Sequence, residues 1–264
     1  MNDIFELKRF GLLLKKAILE RPIQLMGLTG LILAATLIIY AWALDAEGWN
    51  FAQYLAFELG FVVGGCFLSS VVFGYFGTNA SGAAYLTMPA STFEKWLCGA
   101  LIAGLFFTCV FLVFYRLMDA GFVAAYHNRL DKNNPQYKEL YDRVQILTFD
   151  NLVVKQSAML YANFAGAMMV GALYFNKVSA IKTALVYCGI WAVIYFLNLI
   201  VAKAFFTNVD AALPFNSIFI KVGNDDGSLE LPRAFSNMAT LAIQFIIPGI
   251  VLITAFIRLR EKEI

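Results

Sequence analysis

Residues 86–95 read LTMPASTFEK, and the small-residue run GTNASGAAY (77–85) comes just before them. This connector, residues 77–95, lies between two long apolar segments and is too rich in Pro, Ser, Thr and charge to lie in hydrocarbon. Ser91 and Glu94 within it fit a capping box, in which each side chain accepts a hydrogen bond from the backbone N–H of the other residue. We expect a helix that starts at Ser91 and runs directly into the apolar stretch from Trp96. A connector held this firmly is suited to carrying a movement from outside the membrane into it.

The composition indicates the class of protein. Of the 264 residues, 61% are hydrophobic and 14% are charged, and the mean hydropathy is +0.71. A soluble core of this size cannot use that much apolar surface, so we expect an all-α polytopic membrane protein. The chain has one His and four Cys, and all four Cys lie in apolar segments. This distribution argues against a zinc site and against a disulfide framework.

Six apolar segments are each long enough, or nearly so, to cross a bilayer. Five basic residues precede the first segment, whereas Asp45 and Glu47 follow it, so the positive-inside rule predicts cytoplasmic N- and C-termini. We expect one transmembrane domain over residues 1–264. Residues 23–76 contain span 1 (23–44) and span 2 (52–76), and the cytoplasmic connector (77–95) and span 3 (96–118) follow. An outer loop (119–157) leads to residues 158–206, which contain span 4 (158–174) and span 5 (183–206). A second outer loop (207–237) and span 6 (238–257) complete the predicted domain.

Residues 2–20 have the pattern of an amphipathic helix, with an apolar face opposite a polar one at about 100° per residue. Such a helix lies in the membrane surface, and the alternative is a helix docked on protein. Arg21-Pro22 then ends the helix before the chain enters the membrane. The apolar face consists of Ile4, Leu7, Gly11, Leu14 and Ile18, and the opposite face of Glu6, Arg9, Lys16 and Glu20.

The two outer loops contain secondary-structure signals of their own. A Pro in the first turn predicts a short helix over residues 135–141. Residues 218–222, the Gly/Asn/Asp run 223–227 and residues 229–231 have the pattern of a β-hairpin. The loops serve either as binding sites for an outer-face protein partner or as plain connectors that pack on the outer face.

Few polar side chains fall within the apolar segments. Glu58 is an intramembrane carboxylate and therefore a functional candidate, although it lies near the outer end of its segment. Asn198 is expected to hydrogen-bond between helices. Gly60, Gly64 and Gly65 give the second segment a small-residue side, for packing within the chain or for dimerisation. No GxxxxGK[ST] sequence is present, which excludes nucleotide binding through a P-loop.

Three stretches resemble the permease subunits of type-2 ABC exporters, and in particular small permease-like proteins of Bacteroidota. The first is KRFGLLLKK (8–16), which is similar to the opening pattern of that family. The second is LTMPASTFEKW (86–96), similar to its LPAS-x-x-EK pattern, with Met88 where Leu is usual. The third is FNKVSAIKT (175–183), similar to its basic turn between spans 4 and 5.

The resemblance implies a role for each region. The N-terminal helix would be the elbow helix, and the connector would hold a coupling helix that docks on a separate ATP-binding subunit. That subunit would bind ATP and Mg²⁺, so this chain would bind no cofactor or metal and contain no catalytic residue. A second permease chain, membrane lipid and the inner membrane of a bacterium are also implied, and no nucleic acid is expected. The implied residues are Phe10, Leu14, Lys15 and Lys16 in the elbow helix, and Tyr85, Pro89, Ala90, Ser91, Glu94 and Lys95 in the coupling region.

Two other classes of protein are considered. A membrane-embedded enzyme needs convergent polar groups at one depth, and six apolar segments with one His hardly provide them. The other class is a non-transporting scaffold or receptor subunit with a permease-like fold, which would bind a partner through its outer loops.

Overall fold

A computed structural model describes residues 5–77, 79–175, 178–206, 208–214, 217–222, 225–230 and 232–263. The N-terminal helix is Leu7–Glu20, a short helix Asn79–Leu86 lies within the connector, and another, Tyr137–Arg143, follows the third span. Six further helices are long and apolar enough to cross a membrane. They are span 1 (Ile23–Glu47), span 2 (Trp49–Val72), span 3 (Thr92–Arg129), span 4 (Leu152–Tyr174), span 5 (Ser179–Phe205) and span 6 (Ala234–Glu261).

The number and order of the apolar helices agree with the prediction, and the largest difference in bounds is in span 3. Its helix continues to Arg129 instead of ending near residue 118. The extension AGFVAAYHNR contains one Gly and no Pro, so nothing in it stops a helix that has already formed. The first predicted outer loop therefore begins as helix. Span 4 starts at Leu152 because the side-chain oxygen of Asn151 caps it, accepting from the Val153 N–H at 3.1 Å.

Four of the six spans contain a π-helical turn. These turns are Ile23–Gly27 in span 1, Leu59–Gly64 in span 2, Leu101–Phe106 in span 3 and Ala242–Ile246 in span 6. The turn in span 6 lies just before Pro248, which has no N–H to donate to the preceding turn. A π-helical turn interrupts the regular hydrogen-bond ladder, and helices bend preferentially at such places.

Span 4 is the central helix, and it packs against spans 2, 5 and 6, while span 1 packs against span 2. The glycines of span 2 face neighbouring helices of the same chain. A Cβ added at Gly60 would collide with Thr36 of span 1, one at Gly64 with Ile32, and one at Gly65 with span 3 and span 4 side chains. The small-residue side of span 2 therefore serves packing within the chain.

The N-terminal helix packs on the chain and also exposes apolar side chains. It buries Phe10 and Leu13, while Leu7, Leu12 and Leu19 are exposed. Of the predicted apolar face, Leu7 and Gly11 are exposed and Leu14 and Ile18 are half-buried, while Ile4 lies outside the described residues. Phe10 and Leu13 lie on the side that packs on the bundle. The position of the exposed face in the membrane surface stays a prediction.

Two short structures follow at the far end of the bundle. The predicted short helix is present as Tyr137–Arg143, and Pro135 lies two residues before its start instead of in its first turn. The predicted hairpin is present as β2 (Ser217–Val222) and β3 (Asp225–Glu230), and β1 (Val209–Ala212) adds a third strand that sequence analysis missed. All pairs are antiparallel in the order β1-β2-β3.

Candidate functional site

The candidate site is the corner where the N-terminal helix, the connector, the start of span 3 and the C-terminal end of span 6 meet. The predicted capping box forms its centre. Ser91 has extended backbone angles, φ −69° and ψ 155°, and its hydroxyl accepts a hydrogen bond from the Glu94 N–H at 3.2 Å. The Glu94 carboxylate accepts one from the Ser91 N–H at 2.9 Å. The start of span 3 is thus fixed locally, as the sequence predicts.

Glu94 also joins span 3 to the N-terminal helix. Arg9 donates to both carboxylate oxygens, from Nε at 2.7 Å and from Nη2 at 2.9 Å, and the Glu6 N–H donates at 2.8 Å. Glu6 and Ser91 are the N-cap residues of the two helices, so one carboxylate faces both helix N-termini, where negative charge is favoured. The Glu94 side chain has no exposed surface. A bidentate, buried carboxylate of this kind fixes the angle between the two helices.

Lys95, the next residue, joins span 3 to two other elements. Its Nζ donates to the Leu86 carbonyl at 2.8 Å and to a Glu263 carboxylate oxygen at 2.8 Å, and Lys95 is 1% exposed. Leu86 ends the connector helix, where a cation is favoured, and Glu263 follows span 6. The other Glu263 oxygen accepts from the Thr92 hydroxyl. The chain's C-terminal end is therefore held at the start of span 3.

Aromatic side chains surround these charges. Tyr85 stacks on Tyr75 with ring centroids 4.4 Å apart, and burial raises the pKa of its hydroxyl well above the usual range. The Trp96 Nε1 donates to the Leu252 carbonyl of span 6 at 3.1 Å, and its ring lies 5.9 Å from that of Phe256. The apolar surroundings limit the access of water to Glu94 and Lys95, although their partners Arg9 and Glu263 are partly exposed.

The residues of the predicted coupling region differ in exposure. The side chains of Tyr85, Glu94 and Lys95 are buried, those of Ala90 and Ser91 are half-buried, and that of Pro89 is exposed. Docking of an ATP-binding subunit here stays a prediction. The burial of both charges means that partner contacts would come from the exposed residues of the connector, which include Ala83, Ala84, Thr87 and Pro89.

The remaining predicted residues lie as follows. Phe10 is buried and Leu14 half-buried against the apolar cluster of the corner, while Lys15 and Lys16 are exposed. Glu58 is exposed on span 2, away from the corner. The third motif, FNKVSAIKT, includes residues 176 and 177, which lie outside the described residues.

The expectation that Asn198 hydrogen-bonds between helices was wrong. Its amide donates to the Ala212 carbonyl of β1 at 3.1 Å. The partner is a strand that sequence analysis missed, so the amide fixes the sheet to the end of span 5.

A second polar cluster, centred on Asp119 of span 3, lies at the other end of the bundle. Asp119 is fully buried and accepts from the Tyr40 hydroxyl at 2.7 Å, the Gln53 amide at 2.9 Å and the Leu147 N–H at 2.7 Å. It thereby joins spans 1, 2 and 3 to the segment before span 4. The sequence alone assigned Asp119 no role. The feature that could have indicated a buried polar contact is its position, a carboxylate one residue past an apolar segment and close to Arg116.

Among the described residues, no group of three or more His, Cys, Asp or Glu side chains is arranged to hold a metal ion. The two polar clusters therefore consist of ion pairs and hydrogen bonds within the protein. Comparisons with protein families, with curated proteins and with solved structures find no match to this chain.

Proposed function

We propose that this chain is the membrane subunit of an ATP-driven exporter in a bacterial inner membrane, coupled to a separate ATP-binding subunit through the connector. That subunit binds ATP and Mg²⁺ and contacts the exposed residues of the connector. When it closes on ATP, the connector moves and tilts the spans attached to it. A path then opens between this chain and a second permease chain.

The observation that carries the proposal is the pair Glu94 and Lys95. These are consecutive buried residues of opposite charge, and they bind different elements: Glu94 the N-terminal helix, and Lys95 the connector helix and the end of span 6. A movement of the connector therefore displaces the N-terminal helix, the start of span 3 and the end of span 6 together. Hydrogen bonds to charged groups have a defined direction and length, so they hold the connector at defined positions on its neighbours.

The arrangement of the chain ends supports the same interpretation. The N-terminal helix, the connector and the last residues of span 6 meet at one end of the bundle. The basic residues before span 1 favour the cytoplasm for that end, which is where an ATP-binding subunit is found. The π-helical turns in spans 2 and 3 provide places where these spans can bend when the connector moves.

A second permease chain is proposed on the exposure of span 5. Of its described residues only Thr183 and Ala202 are buried, although the helix is long and apolar. Lipid or another chain covers the rest, and a pathway between two permease chains needs such a surface.

The first test is affinity purification of the tagged protein from its native membrane in mild detergent. We expect a near-stoichiometric ATP-binding subunit that is lost when the exposed connector is changed, for example in Thr87→Asp with Pro89→Asp. The control is Lys132→Asp, an exposed change at the far end. The double substitution Pro89→Gly with Glu94→Ala should keep ATP hydrolysis but uncouple it from transport. Recovery of the folded protein without any ATP-binding subunit would overturn the proposal.

One observation favours the scaffold as a second candidate. In the described part of the chain, β3 pairs with β2 alone, which leaves the other edge of β3 open to strand addition by a partner. A scaffold would be recovered with an outer-face protein and without an ATP-binding subunit. Substitution of Ser228 by Pro, which removes an N–H from β3, would release that protein.

A further inference from the structure

A groove on the outside of the bundle runs from the corner toward the middle of the spans. It consists of two hollows of about 740 Å³ and 420 Å³ that share Ala180 in their walls. The first hollow lies between the starts of spans 1 and 5 and the ends of spans 2 and 4, with Arg21 and Gln24 at its mouth. The second lies between spans 2, 4 and 5, and its walls include Val63, Phe67, Met168 and Leu185.

The Arg21 guanidinium supplies a positive charge at one end of the groove. The Arg21 guanidinium lies 3.6 Å from the centroid of the Tyr75 ring, and its Nη1 is 3.4 Å from the Gln24 side-chain oxygen. Within the described part of the chain no carboxylate forms an ion pair with Arg21; its neighbour Glu20 is exposed. Lys182 lies nearby, with Nζ 5.8 Å from the centroid of the Phe175 ring, which also lines the mouth.

The groove is thus polar and cationic at one end and apolar along the rest. Along span 2 it extends from Val71 to Val62, which is about 14 Å at the rise of a helix. Half of a bilayer's hydrocarbon core is about 15 Å thick. The length therefore matches one acyl chain of a lipid whose head group lies at the depth of Arg21, where Arg21-Pro22 ends the surface helix.

We propose that this groove binds a phospholipid with an anionic head group, from the leaflet at the corner's end of the bundle. The phosphate accepts hydrogen bonds from the Arg21 guanidinium, whose planar shape suits two oxygens of a phosphate. Tyr75 holds the guanidinium in place, and an acyl chain fills the apolar hollow between spans 2, 4 and 5. This inference does not rest on the exporter function.

The test uses the full-length protein, purified in mild detergent and delipidated. Native mass spectrometry counts bound lipid after addition of dioleoyl phosphatidylglycerol, dioleoyl phosphatidylcholine or inorganic phosphate, and the apparent Tm is measured in parallel. We expect phosphatidylglycerol to bind and to raise Tm, and Arg21→Gln to weaken its binding roughly tenfold or more. Gly27→Leu should also reduce binding, because Gly27 lines the first hollow and a Cβ added there meets Ile23 Cγ2 at an ordinary contact distance of 3.7 Å, so a larger side chain can be accommodated and takes up space in the hollow.

The matched control is Lys15→Gln, which removes an exposed cation from the same helix and should leave binding unchanged. If Arg21→Gln does not fold, Arg21→Lys keeps the charge, loses the planar fork and should still weaken binding. Unchanged binding in a folded Arg21 variant would overturn the proposal. The proposal would also be overturned if phosphatidylcholine or inorganic phosphate bound and raised Tm as much as phosphatidylglycerol does. The same holds if Gly27→Leu bound as much lipid as the unchanged protein and altered only the fraction of dimer.

Discussion

Replacing Arg9 by Met removes the cation from the Glu94 cluster and leaves a fully buried carboxylate that accepts from the backbone N–H groups of Glu6 and Ser91 among the described residues. Breaking a buried ion pair in this way costs about 3–5 kcal/mol. Glu94→Gln is the milder change, because the Arg9 side chain is 30% exposed and regains water when its partner is lost. We expect Glu94→Gln to cost about 1.5–3 kcal/mol, the range for hydrogen bonds to charged groups.

The double variant Arg9→Met with Glu94→Gln contains no buried charge at this position. It should therefore be less destabilised than the sum of the single variants, by about 1.5 kcal/mol or more. The free energy of unfolding, measured by titration with a denaturing detergent in mixed micelles, gives all three values. Lys8→Met, an exposed change on the same helix, is the control and should shift stability by less than about 0.5 kcal/mol. Additive effects of the two single changes would refute the ion pair as the link between the helices.

Three further predictions concern other contacts of the chain. Lys95→Met should lower the free energy of unfolding by about 2–3 kcal/mol. It should also make residues near Glu263 accessible to carboxypeptidase, because Lys95 holds Glu263 at the start of span 3; unchanged digestion would contradict this. Asp119→Leu should lower the free energy of unfolding by about 3 kcal/mol or more, because it leaves the buried partners of Asp119 unpaired. Limited proteolysis should then cut the chain near Leu147, which loses its contact with Asp119; resistance of that segment to cleavage would argue against the role of Asp119. Gly65→Val should lower the apparent Tm strongly because its Cβ meets Phe107 and Tyr161, whereas Gly104→Ala, with open space around it, should not; equal effects would contradict the packing of span 2.

The features that the sequence predicted are local ones. The capping box joins residues three positions apart, and the apolar helices follow from stretches of composition, so neither needs knowledge of the fold. The pairs that complete the corner, Arg9 with Glu94 and Lys95 with Glu263, are 85 and 168 residues apart. Nothing in a single sequence selects these partners among the other charged residues.

Two omissions have the same cause. The contact that holds the N-terminal helix on the bundle was not predicted, because Arg9 and Glu94 are 85 residues apart in the chain. Asp119 was assigned no role because its three partners come from span 1, span 2 and the segment before span 4. A helical projection and a motif search treat each segment alone, so polar contacts between segments fall outside both.

Buried ion pairs contribute little net stability, because desolvation offsets most of the attraction. Apolar residues of similar volume would hold the corner together about equally well. Each hydrogen bond of Glu94 and Lys95 has a direction and a length, so together they fix the position of the N-terminal helix, the connector helix and the end of span 6 relative to span 3. A site that only had to be stable would not need four charges, whereas one that transmits a displacement needs such fixed positions. This difference is the physical reason why we propose Glu94 and Lys95 as the coupling point of the chain.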